Sequence, residues 1–334
     1  MTHFTLDRMP KTLQPHLQLV TASADPPPGE PLSANQIYCG DARELLPDIM
    51  PNSIALSIWS PPYFVGKSYE ESWTFDEWQC LLRDVIAEHW RIVSPGGFLA
   101  INIADILCFR DPDMPRISAE THTSRRSPVT REDVLASMEA HPEKNRYQIA
   151  ALLGCSEQTV DRRLNGNNVR GGKYEPQTRV KIVGGLVEDW ATEAGFFPYD
   201  RRIWVKDPCW ANSRWSSVSY RAIDEYEYIY IFWKPGVTKV DKSRLTGEEW
   251  RDWGSRGVWQ FPSVQRNDAH EAMFPIELPT RLIRMLSEPG DTILDCFVGS
   301  GTTAVAAGRL DRLFIGIDND EQAVTTARER VAFG

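Results

Sequence analysis

A glycine-rich stretch near the carboxyl terminus indicates the fold of this 334-residue chain. It reads Asp295-Cys296-Phe297-Val298-Gly299-Ser300-Gly301-Thr302-Thr303. The apolar segment 292–295 before it predicts a β-strand, and a helix is expected to begin near residue 302. Glycines at such a junction let the backbone approach a ligand and leave the amino end of the helix open to it. Asp318 ends the next predicted strand, where its carboxylate can accept hydrogen bonds from ribose hydroxyls.

Two other interpretations of this stretch stay open at this point. The spacing of Gly299, Gly301 and Ala304 on its own also fits a dinucleotide fingerprint, so NAD is a competing ligand. The second interpretation is a tight strand-to-helix turn that binds no ligand. A phosphate-binding P-loop is disfavoured because no Gly-Lys-Ser/Thr sequence follows the glycines.

Predicted strands and helices alternate over most of the chain. Strands are expected at 36–39, 54–59, 98–103, 200–206, 225–233, 292–295 and 313–317, and longer helices at 74–93, 275–286 and from 302. The stretch 238–265 is rich in tryptophan and is predicted to be irregular. The alternation is typical of an α/β fold with a doubly wound, mostly parallel sheet, in which ligands bind outside the carboxyl ends of the strands.

A second motif, Ser60-Pro61-Pro62-Tyr63, directly follows the apolar strand predicted at 54–59. The two prolines stiffen the turn and fix where the Ser60 hydroxyl, the Pro61 carbonyl and the Tyr63 ring point. A pair of polar acceptors beside an aromatic face suits a planar amine. Taken alone, the motif is equally compatible with a rigid loop that carries a surface tyrosine.

Together the two motifs resemble those of the DNA amino-methyltransferases, which act on cytosine N4 or adenine N6. Ser60 to Tyr63 resembles the catalytic (Ser/Asn/Asp)-Pro-Pro-(Tyr/Phe) motif of this family, and residues 295–303 resemble its motif for S-adenosyl-L-methionine. The order, with the catalytic motif first, is similar to that of the permuted β class. The resemblance runs from about residue 37 to 330, with further similar pieces at 40–41, 204–206, 232–235 and 270–275.

The resemblance implies a Rossmann-like methyltransferase fold with S-adenosyl-L-methionine as cofactor. Asp318 is expected to bind the ribose, Asp41 to lie near the adenine amine or the methionyl end, and Asp295 with the 299–303 loop to approach the methionine. Phe274 and Phe297 are the expected apolar walls. The full expected cofactor set is Asp41, Phe274, Asp295, Phe297, Gly299, Ser300, Gly301, Thr302, Thr303 and Asp318. Two members have structural alternatives, because Asp41 can cap a helix and Phe274 can be a core residue.

The expected catalytic residues are Ser60, Pro61, Pro62 and Tyr63. The Ser60 Oγ and the Pro61 carbonyl oxygen would accept the two N–H protons of the target amine, while Tyr63 stacks on a base flipped out of the duplex. Within the family that the motifs resemble, serine at the first motif position goes more often with cytosine N4 than with adenine N6, so the resemblance implies cytosine, and adenine stays open. Cytosine C5 methylation is disfavoured because Cys209, although it follows a proline, does not follow the strand that would carry the nucleophile loop.

The segment 110–181 interrupts the pattern and differs in charge, with 13 basic and 10 acidic residues, a net charge of +3. Within it, 147–164 looks like a helix-turn-helix, in which Gly154 permits the turn and Ser156 caps the second helix. Its expected DNA-binding residues are Gln158, Thr159, Arg162 and Arg163, with Arg170 and Lys173 on the loop beyond. The alternative is a helical hairpin that packs on the catalytic domain and has no role in DNA recognition.

We therefore predict six segments along the chain. They are an extended, proline-rich arm (1–35), a first catalytic part (36–109), the helical, helix-turn-helix-like insertion for DNA recognition (110–181), the rest of the catalytic part (182–237), a target-recognition loop region (238–268) and the S-adenosylmethionine-binding part (269–334). A helix-turn-helix regulator and an NAD-dependent oxidoreductase are the rival function classes. The former leaves two intact motifs unused, and the latter leaves the insertion and the proline motif unexplained.

The formal net charge of −9 weakly opposes a nucleic-acid partner, so double-stranded DNA must be held by a local basic surface. The six cysteines are scattered without metal-ligand spacing, so we expect no metal and a reducing cytoplasm. The sequence shows no membrane-spanning stretch and predicts no membrane partner. Whether a cognate restriction endonuclease accompanies the chain, and whether it acts as a monomer or a homodimer, is left open.

Overall fold

The computed structural model describes residues 30–64, 73–115, 127–165, 177–209, 222–241, 243–263 and 275–333. The strands are β1 (Gln36–Cys39), β2 (Ile54–Trp59), β3 (Val93–Ile103), β4 (Ile106–Asp111), β5 (Gln177–Lys181), β6 (Phe197–Cys209), β7 (Asp224–Trp233), β8 (Val258–Gln260), β9 (Thr292–Asp295) and β10 (Leu313–Asp318). The helices are α1 (Ala42–Leu45), α2 (Phe75–Ile92), α3 (Arg131–Ala140), α4 (Arg146–Leu152), α5 (Glu157–Asn165), α6 (Gly184–Ala194), α7 (Gly247–Glu249), α8 (Glu277–Leu286), α9 (Thr302–Arg309) and α10 (Glu321–Phe333).

The described residues divide into two compact units. The first lies within 1–106, 182–209 and 224–334, and the second within 107–181 and 210–223. No helix in the described ranges combines the length and apolar character that a membrane span needs.

One eight-stranded sheet organises the first unit, in the order β1-β10-β9-β2-β3-β7-β6-β8. The first five of these strands pair parallel to one another. Strand β7 runs antiparallel to β3 and β6, and β8 is parallel to β6. The predicted doubly wound, mostly parallel α/β sheet is thereby confirmed. Because parallel strands end at the same edge, the residues that follow β1, β10, β9, β2 and β3 gather there, together with the first residues of β7.

The centre of the sheet is covered on both faces. On β2, Leu56, Ile58 and Trp59 are all fully buried, although neighbouring residues of a strand point to opposite faces. A continuous apolar run of this kind is typical of a central parallel strand that has helices on both sides. Because β2 has three strands on one side and four on the other, the residues that follow it lie near the middle of that sheet edge.

Helix α2 begins at a capping box, in which the Thr74 side chain accepts from the Glu77 N–H and the Glu77 carboxylate accepts from the Thr74 N–H. Its carboxyl end is fixed by Lys234, whose ammonium donates to the Val93 carbonyl at 2.7 Å and lies 4.9 Å from the centre of the Trp90 ring. Lys234 directly follows β7. The lysine in the 232–235 piece of sequence therefore ties β7 to the end of α2.

The described part of the second unit contains three helices around a small core formed by Val134, Ile149 and Val160, all fully buried. Between α4 and α5, Gly154 has a φ of +61°, which an L-amino acid with a side chain adopts only at a cost. The Ser156 Oγ accepts a hydrogen bond from the Thr159 N–H at 3.3 Å and so caps α5, as the sequence predicts. Helix α3 was not predicted.

The tryptophan-rich stretch is more ordered than the sequence indicates. It contains α7, a turn of π-helix at Trp250–Gly254 and the edge strand β8. Trp259 on β8 is almost completely buried and packs edge to face on Trp253, with the Arg281 guanidinium 5.3 Å from each ring centre. A strand of three residues is too short to produce a periodic pattern, so only the packing reveals it.

Candidate active site

The two sequence motifs lie at the ends of neighbouring strands. Strand β2 pairs with β9, with Ser57 opposite Leu294, so Ser60 follows one strand where Asp295 ends the other. Trp59 and Phe297 meet edge to face with their ring centres 5.4 Å apart. The structure therefore brings together the Ser60–Tyr63 motif and the glycine stretch, which are more than 230 residues apart in the sequence.

The glycine stretch turns sharply from β9 into α9. Gly299 and Gly301 have φ values of +50° and +85°, and Gly301 caps the amino end of α9. A Cβ on Gly301 would lie 2.9 Å from the Ala327 Cβ of α10, closer than two carbon atoms can pack. Ser300 accepts a hydrogen bond from the Arg330 guanidinium at 2.7 Å, and Thr302 is buried at the start of α9. Both the backbone conformation and the packing against α10 thus require glycine at position 301.

Two carboxylates border this turn. Asp318 Oδ2 accepts the Gly299 N–H at 2.7 Å, which links the end of β10 to the loop. Asp295 is buried and accepts from the Thr303 hydroxyl at 2.5 Å and from the Phe297 N–H at 3.1 Å. Burial, with a smaller contribution from the charge of Asp318, outweighs the two hydrogen bonds and raises the pKa of Asp295 to about 7. A positively charged ligand beside these carboxylates would favour their ionised forms, so the site chemically fits a cation such as a sulfonium.

Asp41 follows β1, next to the end of β10. Its carboxylate accepts the Arg43 N–H at 2.8 Å and pairs with the Arg43 guanidinium at 2.6 Å. The hydrogen bond from Arg43 lowers the pKa of Asp41. Asp41 is therefore the helix cap that the sequence allowed, and its contact with a cofactor stays a prediction. Phe274 lies outside the described residues.

A chain of hydrogen bonds starts at the proline motif. The Ser60 hydroxyl donates to the Tyr63 Oη at 3.1 Å, and the Tyr63 hydroxyl donates to Glu227 Oε2 at 2.7 Å. The loop itself is anchored by the Trp78 indole, which donates to the Pro62 carbonyl at 2.8 Å. Burial, together with the charge of Glu227, raises the pKa of Tyr63 well above its usual value. The phenol is therefore neutral at physiological pH.

Two further polar groups, Lys206 and Asn102, hold Glu227. The Lys206 ammonium donates to Glu227 Oε1 at 2.6 Å and to Asp224 Oδ2 at 3.1 Å. The Asn102 amide donates to Glu227 Oε2 at 2.5 Å and lies 3.4 Å from the Tyr63 Oη. Its Oδ1 is buried and accepts no hydrogen bond from the described residues. Strands β3 and β6 thus each contribute one polar side chain that holds Glu227 of β7.

Sequence reasoning missed Asn102 and Glu227, and it noted Lys206 without giving it a role. A signal for Glu227 does exist. Along β7, residues 227, 229 and 231 face one side of the sheet, and their exposed fractions are 7%, 0% and 1%. An acidic residue in register with two buried isoleucines indicates a carboxylate that has a specific partner.

The predicted DNA-binding residues of the second unit lie on α5. Gln158 and Arg162 are exposed. Arg163 is also exposed, but its Nε donates to the Val129 carbonyl at 2.8 Å, and the Thr159 hydroxyl lies 3.0 Å from the Ser156 hydroxyl. Part of this set therefore stabilises the unit itself. Arg170 and Lys173 lie outside the described residues.

Comparison with known proteins identifies the family. Residues 54–329 match the model of the N6/N4 DNA methylase family, and this range covers most of the chain, including both motifs. The chain belongs to this DNA methylase family. It is 55% identical over 300 residues to the type II methyltransferase M.BglI of Bacillus subtilis, an alignment that covers 90% of this chain and 86% of the relative.

Solved structures agree with the fold of this DNA methylase. A candidate DNA modification methylase of Thermus thermophilus, crystallised with S-adenosyl-L-methionine, superposes with a TM-score of 0.58 and 25% identity, over 89% of this chain and 93% of that chain. The PvuII DNA methyltransferase, which is cytosine-N4-specific, superposes with a TM-score of 0.54 and 20% identity, over 91% of this chain and 88% of that chain.

Proposed function

We propose that this DNA methylase transfers a methyl group from S-adenosyl-L-methionine to the exocyclic N4 amine of a cytosine in double-stranded DNA. The observation that carries the proposal is the position of Ser60-Pro61-Pro62-Tyr63 beside the 295–303 turn, at the ends of β2 and β9. An acceptor for amine protons and a turn suited to a nucleoside cofactor are thereby adjacent. The Ser-Pro-Pro-Tyr motif and its position ahead of the cofactor motif support assignment to the permuted β class.

S-adenosyl-L-methionine is the cofactor, and it supplies an electrophilic methyl group on a sulfonium. We assign its ribose to Asp318, its methionine part to Asp295 and the 299–303 turn, and one apolar wall to Phe297. Asp295 is suited to this position because a buried carboxylate with a raised pKa becomes charged when a cation binds near it. Binding of the cofactor is therefore expected to ionise Asp295.

The residues of the proline motif orient the target amine. Its lone pair is delocalised into the base, so the nitrogen must be held with that pair directed at the methyl group. Ser60 Oγ and the Pro61 carbonyl oxygen accept the N–H protons, and the Tyr63 ring stacks on the base. Flipping the base out of the duplex costs a few kcal/mol, which stacking and these hydrogen bonds offset.

The methylated nucleoside that the enzyme produces distinguishes cytosine N4 from adenine N6 as the target. Nucleoside mass spectrometry of plasmid DNA treated with the enzyme is expected to show N4-methylcytosine, because a serine hydroxyl at position 60 is the family's more frequent partner of cytosine. The matched control is the same reaction without cofactor. N6-methyladenine as the sole product would contradict the cytosine assignment, and an absence of both would contradict amine methylation.

We propose that α5 of the second unit supplies part of the DNA contact, since it lies in the segment 110–181, which carries a net charge of +3. Residues 238–268 are the second proposed contribution. A cognate restriction endonuclease is a proposed partner, while monomer and homodimer stay alternatives for the assembly.

Two neighbouring arginines of α5, Arg162 and Arg163, are expected to differ in their effects on DNA affinity and on protein stability. Arg162→Ala is expected to weaken DNA binding about 10-fold and to reduce the slope of log K against log salt by about one, because one phosphate or base contact is lost. Arg163→Ala is expected to lower the free energy of unfolding as well, because it removes the hydrogen bond to the Val129 carbonyl. Fluorescence anisotropy at several salt concentrations and urea unfolding measure the two effects.

The control for this prediction is Arg83→Ala, which removes one exposed positive charge from α2 in the first unit. It changes the net charge equally and is expected to leave DNA affinity within about 2-fold. If Arg162→Ala binds DNA as the wild type does, with the same salt slope, α5 does not contact the substrate at this residue.

A further inference from the structure

We propose that Ser60, Tyr63 and Glu227 form a relay that takes the proton released from the methylated amine. The inference rests on the proposed amine methylation and extends it by naming the group that receives the proton. Glu227 lies on β7, remote in sequence from both motifs, and ends a chain of two hydrogen bonds that begins at Ser60.

The direction of each hydrogen bond in this chain is fixed by chemistry. A carboxylate only accepts, so the 2.7 Å contact with Glu227 must be donated by the Tyr63 hydroxyl. Tyr63 has a single hydroxyl proton, so the 3.1 Å contact with Ser60 must be donated by Ser60. Both protons therefore point toward Glu227. The Ser60 Oγ consequently presents lone pairs, and no proton, to the target amine.

This arrangement moves a proton without moving any heavy atom. As the N–C bond forms from the nitrogen lone pair, the C–S bond breaks and its electron pair stays on sulfur. The surplus proton passes from nitrogen to Ser60 Oγ, the Ser60 proton to Tyr63 Oη, and the Tyr63 proton to Glu227 Oε2. The amine nitrogen ends neutral and Glu227 ends as a neutral acid. After the product leaves, the reverse shifts return a proton from Ser60 to water and restore the carboxylate.

The surroundings of Glu227 favour a role for its charge. A tether for the Tyr63 hydroxyl needs only a neutral acceptor, and burying a carboxylate costs free energy unless it is paired. The protein places Lys206 at 2.6 Å and Asn102 at 2.5 Å to stabilise this carboxylate. Asp224 shares Lys206 but makes no contact in the chain, which makes it a natural comparison.

The test compares Glu227→Gln and Tyr63→Phe with Asp224→Asn. The first removes the proton acceptor but keeps the side-chain shape, and the second removes the middle hydroxyl but keeps the ring. The third neutralises the other carboxylate that Lys206 contacts, and it leaves the three residues of the relay unchanged. Single-turnover methylation is expected to fall about 100-fold in the first two variants and to stay within about 3-fold of the wild type in Asp224→Asn.

Two measurements separate the relay from a merely structural role. Affinity for the demethylated cofactor, S-adenosylhomocysteine, and the fluorescence of DNA with 2-aminopurine at the target position are expected to be unchanged in Glu227→Gln. Infrared difference spectra of the reacting wild-type complex are expected to show the C=O band of neutral Glu227, which is missing from Glu227→Gln, whereas a band from reprotonated Asp295 is common to both.

The relay is wrong if Glu227→Gln methylates DNA within about 3-fold of the wild-type rate, or if Asp224→Asn is as slow as Glu227→Gln. If Glu227→Gln alone fails to fold, Tyr63→Phe decides by the same rate criterion. A wild-type enzyme that methylates no exocyclic amine would instead overturn the proposed function. The two failures are therefore distinguishable.

Discussion

Ser60→Ala is expected to lower the rate of methyl transfer by about 100- to 1,000-fold while leaving cofactor affinity within about 2-fold. The substitution removes one of the two proposed acceptors for the amine protons, and this is also the first member of the hydrogen-bonded chain to Glu227. The Asp295 side of the site is untouched, so binding of S-adenosyl-L-methionine should persist. Single-turnover transfer of a radiolabelled methyl group and calorimetric titration with the cofactor measure the two quantities.

The matched control is Ser53→Ala, one residue before β2 at the opposite end of the same strand. Ser53 is exposed, and its hydroxyl donates to the Met50 carbonyl at 2.7 Å. We expect this variant to methylate at the wild-type rate. If Ser60→Ala keeps more than about a tenth of the wild-type rate, Ser60 is not the acceptor that the mechanism requires.

Gly301→Ala is expected to destabilise the protein by about 2 to 5 kcal/mol and to reduce cofactor affinity by at least about 10-fold. A left-handed φ of +85° costs an L-residue about 1 to 2 kcal/mol. The Cβ would also meet the Ala327 Cβ at 2.9 Å, and overpacking of this kind costs about 1 to 3 kcal/mol more. Relief of the overlap must displace the start of α9 and with it the 299–303 turn.

Gly290→Ala isolates the backbone contribution. Gly290 has the same φ of +85°, but a Cβ there meets nothing within 4 Å. Gly290→Ala is expected to lower the free energy of unfolding by the backbone strain alone, about 1 to 2 kcal/mol, and to leave cofactor affinity unchanged. Urea unfolding and calorimetric titration compare the pair. Equal losses of stability in the two variants would show that the contact with Ala327 is not tight.

Local sequence was sufficient wherever a chemical requirement falls on consecutive residues. The 295–303 turn needs glycine for its conformation, and helix α2 needs the Thr74–Glu77 capping box, so both could be recognised from short stretches. The alternation of strands and helices was equally sufficient for the parallel sheet. Ser156 as the cap of α5 belongs to the same class of local prediction.

Other elements left no local pattern. Helix α3 has only one fully buried residue, Val134, so its apolar periodicity is weak although it begins with a capping box at Thr130. Strand β8 has three residues, and its assignment depends on pairing with β6. Arg163 resembles a surface arginine in the sequence, and only the position of the Val129 carbonyl shows that it stabilises the unit.

By itself the sequence determined the kind of sheet, the positions of both motifs at strand ends and the chemistry that those residues permit. Only the tertiary structure placed β2 beside β9, because strand order depends on how crossover helices pack and not on the order of residues. Only the tertiary structure also assembled Lys206, Glu227 and Asn102 around Tyr63. A buried charge is stable only where its partners surround it, and the partners of Glu227 come from β3, from β6 and from the loop after β2, all distant from it in the sequence.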